Sequence, residues 1–219
     1  MSETIHHYAA VAFDFDGTLA DSYSAIASSV NHVRAQRGLG KLSVAEVKQH
    51  VGRGAEYLLT HTIPNGNLAE DLACYRVHHP TVMRTMTELL PGAATLVLAL
   101  HQRGVKVGLC SNKPRLFSQE LLEYLKLAAA FDVVLGPEEV PHPKPAPDML
   151  LRAVEHFAVA KERTLYVGDM LVDIQTARAA GVRVWAVATG SEDRAALVAA
   201  RPDRLLDGLL EIVAELGPL

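Results

Sequence analysis

The sequence lacks any apolar run long enough to cross a membrane, and it lacks a cluster of basic residues. Its longest apolar stretches, such as residues 93–100, are far shorter than the roughly 18 residues that a membrane helix needs. No basic segment followed by an apolar one opens the chain, so we expect no secretory signal. The formal net charge is −4. Because the chain carries a net negative charge and no run of basic residues that could bind phosphates, we do not expect a nucleic acid as a partner. We also expect no membrane partner, since no apolar run is long enough.

Cysteine is scarce. The two cysteines, Cys74 and Cys110, lie far apart and show no metal-binding spacing. Proteins that stay in a reducing compartment rarely use disulfides, so this pattern predicts a reduced, cytoplasmic protein. Cys110 ends a predicted buried strand, where we interpret it as a small apolar side chain.

Hydrophobic residues make up 49% of the 219 residues, which is enough for a substantial core. At about 150 residues per domain, the length allows one large domain or two modest ones. Short apolar runs alternate with amphipathic stretches that end at glycine, a pattern typical of an α/β fold with a parallel sheet covered on both faces. The predicted strands cover residues 8–14, 105–110, 133–135, 165–167 and 182–187, and the predicted helices cover residues 93–103, 116–125, 147–157 and 171–180.

One segment interrupts the alternation. From about residue 21 to residue 90 the sequence gives helix signals and no convincing strand. Ser43 with Glu46 forms a capping-box pattern, and Asn67 is a second candidate N-cap. We therefore predict a helical domain over 21–90, inserted into an α/β core made of residues 1–20 and 91–219.

Polar side chains follow each of the clear predicted strands and the weaker one at 133–135. In a parallel sheet the carboxyl ends of the strands share one edge, so these side chains should form one site. They are Asp14 and Asp16, Ser111 and Asn112, Lys144, and Asp169 and Asp173. Clustered carboxylates repel one another unless a cation is present, and an oxygen-rich cluster suits Mg²⁺.

Such a site suits phosphoryl transfer. An aspartate can attack phosphorus, a second carboxyl can act as acid and base, and the metal and lysine can neutralise phosphate oxygens. Each residue alone has an ordinary structural reading: an Asp-Gly turn, a helix cap or a solvated loop lysine. The functional interpretation depends on their shared order, spacing and position at strand ends.

Four motifs resemble those of the haloacid dehalogenase superfamily, on its phosphatase side. They are "FDFDGTLADS", "LCSN", "PKPAPD" and "YVGDMLVDI", and the resemblance covers nearly the whole chain. The first and fourth motifs are the most specific. The resemblance implies a Rossmann-like core that binds Mg²⁺ and a helical cap, residues 21–90, that closes over the substrate.

The resemblance also implies a role for each matched residue. Asp14 corresponds to the nucleophile and a metal ligand, and Asp16 to the general acid and base, with its backbone carbonyl at the metal. The remaining roles are ordering of the first turn by Thr18, phosphate binding by Ser111 and Asn112, stabilisation by Lys144, and metal binding by Asp169, with Asp173 acting directly or through water.

Within the superfamily the chain most resembles phosphoglycolate phosphatases. The segment "VGRGAEYLL" is similar to a cap loop that faces their active site, and it carries Arg53. An arginine there could bind a substrate carboxylate or a second phosphate, or lie on the surface, and the sequence favours neither. The expected partner is a small phosphorylated metabolite, and the chain could be a monomer or a homodimer.

Other functions share parts of this pattern. A dehalogenase does not need the acid at Asp16, and the cap lysines Lys41 and Lys48 do not match the motif of a phosphonate hydrolase. A phospho-accepting signalling domain is shorter and has no helical insertion. A β-phosphoglucomutase-like mutase and a non-catalytic phospho-ligand-binding module stay open as alternatives, because the sequence separates them poorly.

Overall fold

The computed structural model describes residues 4–217, and a six-stranded parallel sheet forms its centre. The spatial order of the strands is β5-β4-β1-β6-β7-β8, and a separate two-stranded antiparallel sheet pairs β2 with β3. The strands are β1 (Ala10–Phe13), β2 (Ala20–Asp21), β3 (Glu88–Leu89), β4 (Lys106–Cys110), β5 (Val133–Leu135), β6 (Thr164–Gly168), β7 (Arg183–Val187) and β8 (Arg204–Leu206).

Ten α-helices are found in the described part of the chain, and none of them is long and apolar enough to cross a bilayer. They are α1 (Tyr23–Gln36), α2 (Val44–Lys48), α3 (Ala55–Thr62), α4 (Leu68–Val82), α5 (Ala93–Gln102), α6 (Arg115–Tyr124), α7 (Asp148–Phe157), α8 (Leu171–Ala180), α9 (Arg194–Ala200) and α10 (Leu209–Leu216).

Strand β1 shows how the sheet divides the core into two layers. Its side chains alternate between the faces of the sheet, as the pleat requires. Val11 and Phe13 pack into a cluster with α5, α6 and α10, whereas Ala10 and Ala12 pack into a second cluster with α7, α8 and α9. All four residues are fully buried, so the strand is apolar throughout rather than alternating apolar and polar residues.

Helices α1 to α4 form a third apolar cluster of their own. Val30, Leu59, Leu72 and Tyr75 are among its buried members. The two predicted helix caps are confirmed: Ser43 and Glu46 form a capping box at α2, and the Asn67 side chain accepts hydrogen bonds from the first turn of α4.

The predicted α/β class, with a parallel Rossmann-like core, is confirmed. The structure adds one detail that the sequence did not indicate. The segment 21–90 contains strand residues at both ends, where β2 pairs antiparallel with β3. These strands are two residues long, which is too short for a period-2 pattern to be visible in the sequence. They lie where the chain leaves the sheet layer for the helices and returns from them.

The C-terminal part adds elements that the sequence patterns did not indicate: α9, β8 and α10. Strand β8 has three residues, begins at Arg204 and lies at the edge of the sheet beside β7. An edge strand this short and partly polar gives a weak signal.

The strand order explains why a site forms at one edge of the sheet. From β1 the chain passes through the helical insertion to β4 on one side and later crosses to β6 on the other side. Phe13, the last residue of β1, is in register with both Leu109 of β4 and Val167 of β6. The loops that follow these three strands therefore begin side by side, and ligands of α/β sheets bind in such a crevice.

We expect Leu109→Ala to destabilise the protein strongly, because Leu109 is fully buried in the central sheet. A leucine-to-alanine change in a packed core costs about 2–5 kcal/mol of unfolding free energy. Urea unfolding followed by circular dichroism measures this loss. Leu116→Ala is the matched control, since Leu116 is 68% exposed. Equal stability of the two variants would contradict the assigned core.

Candidate active site

Three buried carboxylates meet at the carboxyl edge of the sheet. Asp14 directly follows β1, Asp169 directly follows β6, and Asp173 lies in the first turn of α8. Each offers an oxygen, and these oxygens all lie within 4.8 Å of one another. None of the three residues is more than 2% exposed. The fold therefore brings Asp14 to two acids that lie more than 150 positions further along the sequence.

Lys144 lies among these acids. It comes from the loop between β5 and α7, and its Nζ is 3.0 Å from Oδ1 of Asp14 and 2.7 Å from Oδ1 of Asp173. Burial alone would lower the pKa of Lys144, but the charges of the two aspartates raise it above its ordinary value. Nζ also donates a hydrogen bond to the Tyr166 hydroxyl at 2.9 Å. The ammonium is therefore held in the charged form between two carboxylates.

One ammonium does not balance three carboxylates. Burial, together with the charges of Asp173 and Asp14, raises the pKa of Asp169 well above its usual range. Burial also raises the pKa of Asp173, although Lys144 opposes this shift. A cation in the site would relieve both effects, because it would stabilise the ionised carboxylates.

The donor set fits Mg²⁺. All the candidate ligand atoms are carboxylate oxygens, which this hard cation prefers. Oδ1 of Asp169 accepts a hydrogen bond from Thr18 at 2.7 Å, whereas its Oδ2 is buried and has no hydrogen-bond partner within residues 4–217. That oxygen is free for a metal. A Cβ added to Gly17 or Gly190 would lie within 2.5 Å of it, so the backbone packs closely on both sides.

Asp16 lies two residues beyond Asp14 and makes different contacts. Its Oδ1 accepts a short hydrogen bond from the Ser22 hydroxyl, and its Oδ2 is 3.1 Å from Nζ of Lys113. The turn that follows Asp16 depends on Gly17, whose φ of +86° is a left-handed conformation that favours glycine. Asp16 does not belong to the group formed by Asp14, Asp169 and Asp173, which we call the three-acid cluster.

Ser111 and Asn112 follow β4 and are also buried. The Asn112 amide donates hydrogen bonds to the Gly52 carbonyl at 3.1 Å and to the Lys144 carbonyl at 3.0 Å. Its oxygen accepts one from the Lys144 backbone N–H at 3.1 Å. The Ser111 hydroxyl accepts one from the Lys113 N–H at 3.3 Å. Asn112 thus links the loop that carries Lys144 to the helical insertion.

A cavity of about 40 Å³ separates the helical insertion from the sheet edge. We call it the cap cavity. Its floor includes Asp14, Asp16 and Lys113, and its roof includes Tyr75 and His79 of α4. Nδ1 of His79 is 3.0 Å from the Ser29 hydroxyl, whereas its Nε2 is buried without a partner in the described chain. Burial, aided by the Lys113 charge, lowers the pKa of His79 to about 2, so the imidazole is neutral.

Eight of the nine predicted site residues belong to the three-acid cluster, bond to it or line the cap cavity. They are Asp14, Asp16, Thr18, Ser111, Asn112, Lys144, Asp169 and Asp173. Asp16 lies on the cavity side. Arg53 is not brought into the site. It is exposed, and its guanidinium stacks on the Tyr57 ring at 5.1 Å, while its neighbours Gly52 and Gly54 line the cavity.

Sequence reasoning missed four residues that contact the site: Ser22, Lys113, Tyr166 and His79. Ser22 and Tyr166 lie inside the quoted motifs, and Lys113 directly follows Asn112, so their position was a usable signal. His79 gave no such signal, because its burial against the cavity depends on how α4 packs on the core.

Comparison with known proteins agrees with this geometry. The sequence model of a family described as haloacid dehalogenase-like hydrolase matches residues 11–187. A phosphoglycolate phosphatase of Neisseria gonorrhoeae is 31% identical over 100% of this chain and 97% of its own length. One from Cereibacter sphaeroides is 34% identical over 79% of this chain and 82% of its own.

Solved structures agree as well. A Bacteroides fragilis protein described as a haloacid dehalogenase-like hydrolase superposes with a TM-score of 0.86 at 30% identity, covering 94% of this chain and 99% of its own. A haloacid dehalogenase-like family protein of Streptococcus pneumoniae has a TM-score of 0.85 over 95% of this chain and 98% of its own, and at 22% identity it supports the fold alone. The chain therefore belongs to the haloacid dehalogenase-like hydrolase family.

Proposed function

We propose that this protein is a Mg²⁺-dependent phosphatase that hydrolyses a small, phosphoglycolate-like phosphomonoester through a covalent phosphate on Asp14. The observation that carries the proposal is the three-acid cluster, in which oxygens of Asp14, Asp169 and Asp173 lie within 4.8 Å of one another. Lys144 contacts Asp14, and Asp16 lines the adjoining cap cavity. The curated relatives that are phosphoglycolate phosphatases support the substrate class.

The side chains of Asp14, Asp169 and Asp173 and the backbone carbonyl of Asp16 would hold the metal. When bound, Mg²⁺ would supply positive charge that neutralises the phosphate oxygens. Lys144 supplies the second positive charge. The Ser111 hydroxyl and the Asn112 backbone N–H would supply hydrogen bonds to the remaining phosphate oxygens, since the Asn112 side-chain amide is already bonded to the Gly52 and Lys144 carbonyls.

In the first half-reaction an oxygen of Asp14 attacks phosphorus and the bond between phosphorus and the ester oxygen breaks. Asp16 gives its proton to the departing oxygen, which leaves as an alcohol. Asp16 is placed for this step because it lines the cap cavity beside Asp14. The cavity would then hold the leaving group.

In the second half-reaction Asp16 takes a proton from a water molecule, which attacks phosphorus. The bond between phosphorus and Asp14 breaks, inorganic phosphate leaves, and both aspartates return to their starting states. We propose that residues 21–90 act as a cap over the core of 1–20 and 91–219, and that they open between turnovers. Closure limits the entry of bulk water during the first step.

We expect Asp14→Asn to abolish hydrolysis of 2-phosphoglycolate while leaving the fold intact, because an amide is a far weaker nucleophile than a carboxylate. Phosphate release measures activity, and circular dichroism checks the fold. Asp207→Asn is the matched control, since the Asp207 side chain is 81% exposed. Turnover like the wild type in Asp14→Asn would place the nucleophile elsewhere.

We expect Mg²⁺ alone to raise the melting temperature. At a concentration 100 times its dissociation constant, a ligand that binds only the folded state stabilises it by about 2.7 kcal/mol, or roughly 5–10 °C for a chain of this size. EDTA should reverse the shift, and Asp169→Asn should remove most of it. A full shift in Asp169→Asn would show that the metal binds at another place.

Lys144→Met should lower kcat/KM for 2-phosphoglycolate by about 100-fold or more, because it removes a buried positive charge that contacts the nucleophile. Steady-state phosphate release measures this loss, with Lys41→Met, which removes an exposed lysine, as the control. A kcat/KM within about threefold of wild type would show that Lys144 has only a structural role.

A further inference from the structure

Lys113 is a buried lysine with no role in the mechanism above. Its side chain is 4% exposed, and its Nζ contacts Oδ2 of Asp16 at 3.1 Å. Nζ also lies over the Phe15 ring, 5.9 Å from the ring centre. Burying an ammonium costs free energy unless its charge is paired and its N–H groups are hydrogen-bonded. The one carboxylate oxygen of Asp16 can satisfy only one of the three N–H donors of Lys113.

Lys113 supplies the positive charge of the cap cavity. Among the described residues that line the cavity, it is the one with a cationic side chain. His79 on the opposite wall is neutral, because burial and Lys113 itself lower its pKa to about 2. Arg53 lies outside on Tyr57. A leaving group that enters this cavity therefore meets a single cation.

The start of α3 adds to this preference. Gly54 and Ala55 line the cavity, and the N-cap position is Gly54, which has no side chain to satisfy the free N–H groups of the first turn. The N-terminal end of a helix favours a negative charge. The N-terminal end of α3 lies on the cap side of the cavity, whereas Lys113 lies on the core side.

We propose that Lys113 is a specificity-determining residue that binds a carboxylate on the leaving group of the substrate. This inference rests on the proposed phosphatase function and assigns to Lys113 the role that the sequence suggested for Arg53. The remaining walls, which include Ile26, Leu58 and Phe117, are apolar and would pack against the carbon chain.

The geometry also limits the size of that leaving group. Because Lys113 touches Asp16, a carboxylate bound to it lies close to the acid that protonates the ester oxygen. The cavity of about 40 Å³ has room for about three water molecules, at roughly 10–15 Å³ each. Both facts favour a short acid, with one or two carbons between the ester oxygen and the carboxylate.

The test compares two substrates of similar size, 2-phosphoglycolate and ethyl phosphate, which lacks the carboxylate. We expect wild type to favour 2-phosphoglycolate, and Lys113→Met to lower the ratio of the two kcat/KM values by roughly 10–100-fold, the range for a lost charged hydrogen bond. The loss should appear mainly in KM for 2-phosphoglycolate. Lys113→Arg should recover most of the ratio, and Lys41→Met should not change it.

Two results would overturn the inference. If Lys113→Met lowers activity on both substrates by the same factor, Lys113 serves only to position Asp16. If wild type hydrolyses both substrates equally well, the cavity does not select a carboxylate. Hydrolysis of neither substrate by wild type would instead refute the proposed phosphatase function. Should Lys113→Met fail to fold, Lys113→Gln removes the charge while keeping a hydrogen-bond donor for Asp16.

Discussion

The packing of three carboxylates and one ammonium into a water-excluded edge of the sheet is the constraint on which the other features of this protein depend. Like charges so close together would disfavour the folded state unless positive charge were supplied. Lys144 provides one charge, and its contacts to Asp14 and Asp173 orient both side chains. The negative charge that remains fits a divalent cation, as the proposed phosphatase function requires.

The strand order makes this cluster possible. Asp14 lies at the centre because β1 is the strand between β4 and β6. The loops after β4, β5 and β6 and the first turn of α8 bring the other side chains of the site to it. The helical insertion begins a few residues after Asp14 and Asp16, and its helices pack over the same edge. In the proposed function the core supplies the charges for the phosphate, and the cap cavity with Lys113 receives the rest of the substrate.

Much of this could be predicted from sequence, for identifiable reasons. Fully buried parallel strands appear as apolar runs, and a site at their ends appears as polar residues that follow those runs, so Asp14, Asp169 and Lys144 were recognisable. Strands β2 and β8 were not, because two or three residues carry no periodicity. Arg53 and Lys113 show where prediction of site residues from sequence fails. Both are basic residues beside a motif, and only the packing of α3 and the β4 loop decides which one lies in the cavity.

The close approach of Gly17 and Gly190 to Asp169 has a consequence for ion capture. With backbone on both sides and Thr18 bonded to one oxygen, the side chain is restricted to one orientation before any ion arrives. The conformational entropy of that side chain is therefore lost during folding. Binding of an ion in the proposed site does not have to meet that cost again, so the affinity for the ion is higher. Substituting either glycine would weaken ion capture even though neither residue offers a ligand atom.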